Sequence, residues 1–453
     1  MKNYFRKWGA IALLSCGISI LPAWGQTSTA QTDSTYHKRM SWFDEAKLGI
    51  FIHWGIYSVG DVSESWSFFN GRISYENYMK QAQQFTAAQY DPKAWVSLIK
   101  ESGARYTVLT TKHHDGFALW DTKYSKLNSK DGSPAKRDLI TPFVEEVRKQ
   151  GLKFGAYYSL IDWSHKDYPN HTKDITRYKI KDDPARWERF CKFNMGQLTE
   201  VNTLWKPDLI WFDGDWEQDA ATWNSTGVIN LLRSTNPNVV VNSRIQGYGD
   251  YATPEIGVPC SRPSARYWEL CYTINNSWGY RKQDQNFKTP QMLLTMFVDC
   301  LSKGGNLLLD ITPKADGSLL PENIEVLKAF GKWIKKYEKA VYKTRAGIPG
   351  DYFIGYTTVS PDRKTLYLYL PYKPIGKVQL KAIINNVKSI REVSSGEEIP
   401  FKLYNKLSWS EVPGIIYFDI PERLLDEYIT VLEVELEDEL KVYKGEGQVI
   451  TAN

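Results

Sequence analysis

Asp208-Leu209-Ile210-Trp211-Phe212-Asp213-Gly214-Asp215-Trp216 joins a short apolar run to two carboxylates. Leu209 to Phe212 has the pattern of a strand buried on both faces. The run stops abruptly at Asp213 and Asp215, with Gly214 between them. A carboxylate at the C-terminal tip of a buried parallel strand stands where barrel enzymes keep their catalytic groups. Asp and Gly are also ordinary turn residues, and in isolation that reading would win. The flanking tryptophans and the recurrence of similar strand ends along the chain favour the functional one.

Outward from this stretch, strand-like runs alternate with amphipathic helices. The strands are expected at 48–54, 106–113, 154–160, 209–212, 239–243, 267–273 and 306–311. Asp91 caps a helix that Pro92 starts and Gly103 ends, a second runs over 141–151, and Thr289-Pro290 opens a third closed by Gly304-Gly305. Repeated strand–helix units over residues 36–343 predict a (β/α)8-like, TIM-type barrel, regular or irregular. An open doubly wound sheet is the alternative, but no Gly-x-Gly-x-x-Gly turn is present to hold a dinucleotide. A helix over 321–339 follows, with Leu327, Phe330, Ile334 and Tyr337 as core. Short alternating segments at 352–356, 365–370, 378–384, 415–418 and 428–432 then predict an antiparallel β-sandwich over 344–436, ending in a charged tail at 437–453 expected to lack order.

Composition narrows the partners. Aromatic residues make up 14% of the chain, with 17 Trp and 28 Tyr, a supply of flat amphipathic rings suited to stacking on sugar faces or to packing. The formal charge of +5 falls to +2 without Lys2, Arg6 and Lys7, which argues against a nucleic-acid or anionic-membrane surface. Those three cations precede an apolar stretch and the small residues Ala23 and Gly25, the pattern of a secretory signal over residues 1–25. The apolar core falls short of the roughly 20 residues a spanning helix needs, so an exported, periplasmic or extracellular protein without membrane insertion is expected. A lipoprotein reading of Leu13-Leu14-Ser15-Cys16 ranks second, because apolar sequence continues past it. Cys191, Cys260, Cys271 and Cys300 show no Cys-x-x-Cys spacing for zinc. A Cys260–Cys271 disulfide and buried free thiols both remain open.

The strand ends share a chemical character. His53 and Trp54 follow the first strand; Lys112, His113, His114 and Asp115 the second; Tyr158, Asp162 and Trp163 the third; Asn242 and Arg244 the fifth. Together with Asp213 they would form a polar, aromatic-walled pocket on one rim. Glycosidic cleavage needs one carboxylate as nucleophile and one carboxylic acid for the leaving oxygen. Asp213 on a rigid strand end suits the first role. For the second, Glu255 lies in a loop rich in turn residues, where a solvated acid is the bland reading, and Glu269 lies within a strand-like run better suited to binding. The three histidines could ligate a metal or bond sugar hydroxyls. The second is preferred, since a metal would also draw on the carboxylates. No Gly-x-Ser-x-Gly elbow supports a serine triad.

Several motifs together resemble the retaining α-L-fucosidases of glycoside hydrolase family 29. They are Trp42-Phe-Asp-Glu-Ala-Lys-Leu-Gly-Ile-Phe-Ile-His-Trp-Gly-Ile-Tyr-Ser58, Thr110-Thr-Lys-His-His-Asp-Gly-Phe117, Gly151-Leu-Lys-Phe-Gly-Ala-Tyr-Tyr-Ser159, 207–216, Val241-Asn-Ser-Arg244, Trp268-Glu-Leu-Cys271, Ser277-Trp-Gly-Tyr280 and Gly304-Gly-Asn-Leu-Leu-Leu309. The resemblance covers about residues 40–345 in the family's order, and the C-terminal β module fits the family architecture. It implies double displacement on terminal α-L-fucosides of oligosaccharides or glycoconjugates, with no cofactor or metal. Asp213 matches the nucleophile. His53, His113 and His114 match residues that bind fucose hydroxyls, and Trp211, Tyr158 and Arg244 match other pocket positions. Trp66 matches a pocket tryptophan, although the family's Glu-Trp reads Ser65-Trp66 here, with Glu64 one place earlier. Glu255 matches the Thr-Pro-Glu loop that supplies the acid/base in many members, and Glu269 matches an acid also considered for that role. Apolar neighbours such as Ile256 are expected to keep the acid protonated. A related α-L-galactosidase, a non-catalytic fucose-binding protein and a metal-dependent hydrolase are the rivals.

Overall fold

The computed structural model describes residues 34–444. The expected signal segment lies outside them. Seven parallel strands form the main sheet: β1 (Leu48–Ile52), β2 (Tyr106–Lys112), β3 (Lys153–Ser159), β4 (Leu209–Asp213), β5 (Val240–Val241), β6 (Glu269–Thr273) and β7 (Asn306–Ile311). Their order is β5-β4-β3-β2-β1-β7-β6. The apparent edges, β5 and β6, are bridged by residues 250–256. Tyr251 pairs with Asn242, while Ala252 and Glu255 pair with Trp268 and Cys271, all in parallel. Main-chain bonds from Asp250 to Val241 (2.7 Å) and from Glu269 to Ala252 (2.9 Å) hold this segment on both sides. An irregular eighth stave thus closes the barrel, and it carries Glu255. The turn-rich composition of 249–257 had suggested a free loop.

Helix ends follow the local chemistry. Asp91 accepts from Lys93 and Ala94 at the start of Pro92–Glu101, and Thr289 accepts from Met292 at the start of Pro290–Ser302. A 22-residue helix, Pro184–Trp205, covers the outside of β3 and β4 and was not anticipated. Helix α1 (Ser34–Ala46) packs into the barrel's lower mouth, its Tyr36, Met40 and Phe43 clustering with Phe51, Tyr106, Tyr157, Leu209 and Trp211. Arg39 pairs with Asp250 at 2.9 Å, tying α1 to the closing segment.

Side chains alternate along each strand, and this parity decides which of them reach the barrel interior. Phe51, Tyr157, Trp211 and Cys271 belong to the interior cluster; Ile52, Tyr158, Phe212 and Leu270 belong to the outer core under the helices.

The C-terminal module has two sheets. Strands β8 (Arg345–Ala346), β9 (Tyr356–Val359), β10 (Thr365–Leu370), β12 (Val387–Glu392) and β15 (Thr430–Leu436) form one, in the order β8-β9-β10-β15-β12. Strands β11 (Val378–Lys381), β13 (Phe401–Tyr404) and β14 (Ile415–Phe418) form the other, in the order β11-β14-β13. Leu368, Leu380, Ile390, Ile416, Phe418 and Leu432 fill the core between them. Gly350–Tyr352 is a short 3-10 turn rather than the start of a strand. The charged segment from Glu437 also departs from expectation. Through Lys444 it is laid against the module, with Leu440 buried and Val442 bridged to Ile383, because its alternate apolar residues complete the sandwich core.

Candidate active site

The site sits at the C-terminal ends of the strands. A pocket of about 180 Å³ is lined by Phe51, His53, Glu64, Trp66, His113, Tyr157, Trp211, Asp213, Trp216, Arg244, Glu255, Cys271 and Trp278. Asp213, the last residue of β4, is largely buried. Its Oδ1 accepts from Arg244 at 3.0 Å and its Oδ2 from the Tyr157 hydroxyl at 2.9 Å. The second terminal nitrogen of Arg244 contacts Glu255, so one guanidinium touches both carboxylates. Arg244 also lies over the Trp211 ring, 4.5 Å from its centroid. Burial disfavours its charge, but Asp213 and Glu255 outweigh that and push its pKa up.

Three histidines sit behind the carboxylates. His53 Nδ1 lies 2.8 Å from Asp310, His113 Nδ1 2.6 Å from Ser65 Oγ, and His114 Nδ1 2.6 Å from Ser159 Oγ. Burial lowers the pKa of all three, that of His114 to about 3. They are therefore neutral at ordinary pH. The Ser159 hydroxyl donates to Ile161 O at 2.7 Å, so it accepts from His114 Nδ1–H. This leaves His114 Nε2 as a bare acceptor, buried without a hydrogen bond and 3.4 Å from Asp213 Oδ2. Such a nitrogen can accept from a ligand hydroxyl. Among the described residues, no group of three or more His, Cys, Asp or Glu is arranged to hold a metal ion.

Glu64 lines the pocket, and its buried carboxylate accepts from Gly279 N at 2.6 Å, while Ser65 supports His113. The one-place shift relative to the family's Glu-Trp pair thus still delivers a glutamate beside Trp66. Trp66 and the half-exposed Trp216 lie nearly parallel at the mouth, 17° apart.

Four expectations need correction. Tyr158 points away from the pocket: its hydroxyl is held by Lys112, Asn194 and Gln197 under the helices, and the pocket tyrosine is Tyr157. Trp54 likewise turns outward against Phe85, Tyr90 and Trp95. Glu269 lies in the barrel interior below the pocket, accepting from Tyr106, Trp211 and Tyr251. It holds Trp211 from behind and is absent from the pocket lining. Ile256 is 61% exposed and turned to solvent; the immediate partner of Glu255 is the Arg244 guanidinium. Asp215 opens a 3-10 turn (Asp215–Glu217) outside the pocket lining. Gly214 takes a left-handed φ of +86°, and a Cβ there would meet Ile161 at 2.7 Å. Cys191, Cys260, Cys271 and Cys300 are free thiols.

Tyr157, Trp278, Trp216 and Phe51 were not singled out as pocket residues. Strand parity relative to Trp211 and His53 would have found Tyr157 and Phe51, and both tryptophans sit in the quoted motifs.

A parallel barrel with paired carboxylates and an aromatic, histidine-rich pocket at its C-terminal rim defines a glycoside hydrolase. Comparison with known proteins supplies the family. The Alpha-L-fucosidase family profile matches residues 22–339. Mouse tissue α-L-fucosidase is 33% identical over 89% of this chain and 92% of its own length, and the human tissue enzyme is 35% identical over 67% and 69%. The structure of α-L-fucosidase isoenzyme 1 from Paenibacillus thiaminolyticus superposes with a TM-score of 0.81 at 31% identity, covering 89% of this chain and all of that one. A family 29 α-L-fucosidase from Bacteroides thetaiotaomicron, solved as a trapped covalent intermediate with 2-fluoro-fucosyl fluoride, gives 0.77 at 27%, covering 88% and 96%. The chain belongs to the α-L-fucosidase family, glycoside hydrolase family 29.

Proposed function

We propose that this protein is an exported exo-α-L-fucosidase that acts with retention of configuration, using Asp213 as nucleophile and Glu255 as acid/base. The observation that carries the reading is the Arg244 guanidinium in contact with both carboxylates. A single bridging cation favours a short separation, in keeping with the about 5–5.5 Å of retaining enzymes rather than the wider gap that admits a water in inverting ones. The trapped intermediate of the Bacteroides relative supports the same course. The small pocket suits one terminal sugar. Its aromatic walls, Phe51, Tyr157, Trp211 and Trp278, suit an apolar ring face, and His53, His113, His114 and Glu64 suit hydroxyls.

In the first step Asp213 attacks the anomeric carbon while Glu255 protonates the leaving oxygen; in the second, Glu255 takes a proton from the water that opens the ester. Once Asp213 is esterified its negative charge is gone, and Arg244 faces the Glu255 carboxylate alone, the charged form that serves as base. Export rests on the cationic and apolar pattern of residues 1–25.

The test is hydrolysis of an aryl α-L-fucoside by protein lacking residues 1–25, with the product anomer followed by NMR. Retained α-L-fucose at first appearance is expected, with turnover nearly abolished in Asp213→Ala. Azide should yield a fucosyl azide of retained configuration from Glu255→Ala. An initially inverted product, or normal hydrolysis by Asp213→Ala, would overturn the assignment. Equal turnover of the α-L-galactoside would displace fucose as the preferred sugar.

A further inference from the structure

A second cavity, of about 470 Å³, opens at the other end of the barrel. Asp44, Lys47, Arg262, Arg266, Tyr267 and Arg345 are among its lining residues. Lys47 immediately precedes β1, Tyr267 lies just before β6 and Gly304 just before β7. The cavity therefore sits on the N-terminal face, remote from Asp213 and Glu255 at the strand tips, where barrel enzymes do no chemistry. Thr344, Arg345 and Ala346, from the start of the β module, complete its wall.

The charge balance is one-sided, with four cations facing one carboxylate. Lys47 is only 2% exposed, and its ammonium is paired only loosely, with Asp44 Oδ1 at 3.8 Å. Arg345 already uses the other Asp44 oxygen, at 3.1 Å. Arg262 has no acidic partner among the described residues, and Arg266 lies beside the Tyr267 ring, 5.4 Å from its centroid. Lys47 also adopts φ +59°, a backbone conformation that favours glycine, at the C-terminal end of α1. A buried charge without a full complement of partners is costly, and an anion entering the cavity would supply them. We propose that Lys47, Arg262, Arg266 and Arg345 form a binding site for a tetrahedral oxyanion, a sulfate or phosphate group carried on a sugar or present as the free ion. Guanidinium forks match such groups in geometry, while the lysine acts as a point charge at the floor. Burial pushes the Lys47 amine down to about 8, with Asp44 offsetting this in part; an oxyanion at the floor would lift it.

Isothermal titration of the full chain with inorganic phosphate and with galactose 6-sulfate tests this. Saturable millimolar or tighter binding is expected, weakened about tenfold or more in Arg262→Ser/Arg266→Ser, the size of a lost charge-assisted contact. Those two side chains are exposed, so this variant folds even if Lys47→Met does not. Tighter binding of the sugar ester assigns the site to sulfated glycans, and equal binding assigns it to the free ion. No saturable binding of either probe, or binding unchanged in the double variant, overturns the proposal. Because the readout is binding at the opposite face, it stands apart from any result on fucoside hydrolysis.

Discussion

Tyr157 donates its phenol to Asp213 Oδ2 at 2.9 Å from the neighbouring strand, although in the β-ladder Tyr157 pairs with Trp211 and Ser159 with Asp213. The diagonal contact exists because alternate side chains on both strands point into the barrel, and a tyrosine is long enough to span two residues of rise. With Arg244 on the other oxygen, it fixes the direction in which the carboxylate faces the pocket.

Tyr157→Phe removes that bond and little else. Steady-state kinetics on an aryl α-L-fucoside should show kcat lowered about 10- to 100-fold, less than an oxyanion-hole donor costs, since Arg244 remains. Thermal stability should change by no more than about 1–2 kcal/mol. Unchanged kcat would reduce Tyr157 to a packing residue.

The buried histidines make stability sensitive to acid. His53, His113 and His114 have lowered pKa values, through burial first, whereas in the unfolded chain they take up protons near an ordinary 6.5. Below that pH the unfolded state binds more protons, so the stabilisation present above 6.5 is lost as pH falls towards the folded values. Melting temperatures recorded from pH 7 down to 4 should drop steadily, and the drop should be shallower for His114→Asn. An identical slope in the variant would mean that His114 is charged in the folded protein.

Glu269 acts in the opposite sense. Burial raises its pKa from an ordinary 4.5 to about 7, although Tyr106, Trp211 and Tyr251 donate to it. Between these values the folded protein holds a proton that the unfolded chain has released, so its contribution is fully present below 4.5 and lost as pH rises through 7. Glu269→Gln keeps the shape and cannot ionise. Its stability relative to the parent should climb across that window by up to roughly 3 kcal/mol and level off above it. A difference that stays flat with pH would show that Glu269 titrates normally.

Ile256 follows the proposed acid/base with φ +59°, and it is exposed. A β-branched residue in the left-handed region costs about 1–2 kcal/mol. Ile256→Asn should therefore raise stability by about 1 kcal/mol in denaturant melts, because Asn tolerates this conformation and no buried surface is lost. A destabilised variant would mean that the isoleucine makes contacts that outweigh the strain.

Much of the architecture can be read along the chain because it depends on local patterns. The apolar run ending at Asp213, the Asp91 and Thr289 caps and the alternation of strands with helices are one-dimensional signals, and β7 and β10 fall where those signals place them. Weak strands escaped the same reading. Val387–Glu392 interleaves charges, and Phe401–Tyr404 is an exposed edge strand that pairs on one side only, with β14.

For the site, residue type and position at a strand end sufficed to name Asp213, His53, His113, His114 and Arg244, and the family resemblance added Trp66, Glu64 and Glu255; all of them stand together around or directly behind the pocket. What a linear reading did not resolve was direction. Tyr157 and Tyr158 are adjacent and chemically alike, but the pleat sends one to Asp213 and the other to Lys112. Glu255 reads as a loop acid until its segment is laid between β5 and β6, where main-chain bonds to Cys271 carry it to Arg244. The sequence by itself determined the barrel, the carboxylate at the tip of β4 and the kinds of side chain that would gather there. Only the tertiary structure decided which neighbour of each pair faces inward and how a turn-rich segment becomes the eighth stave, because both depend on hydrogen bonds between residues far apart in the chain.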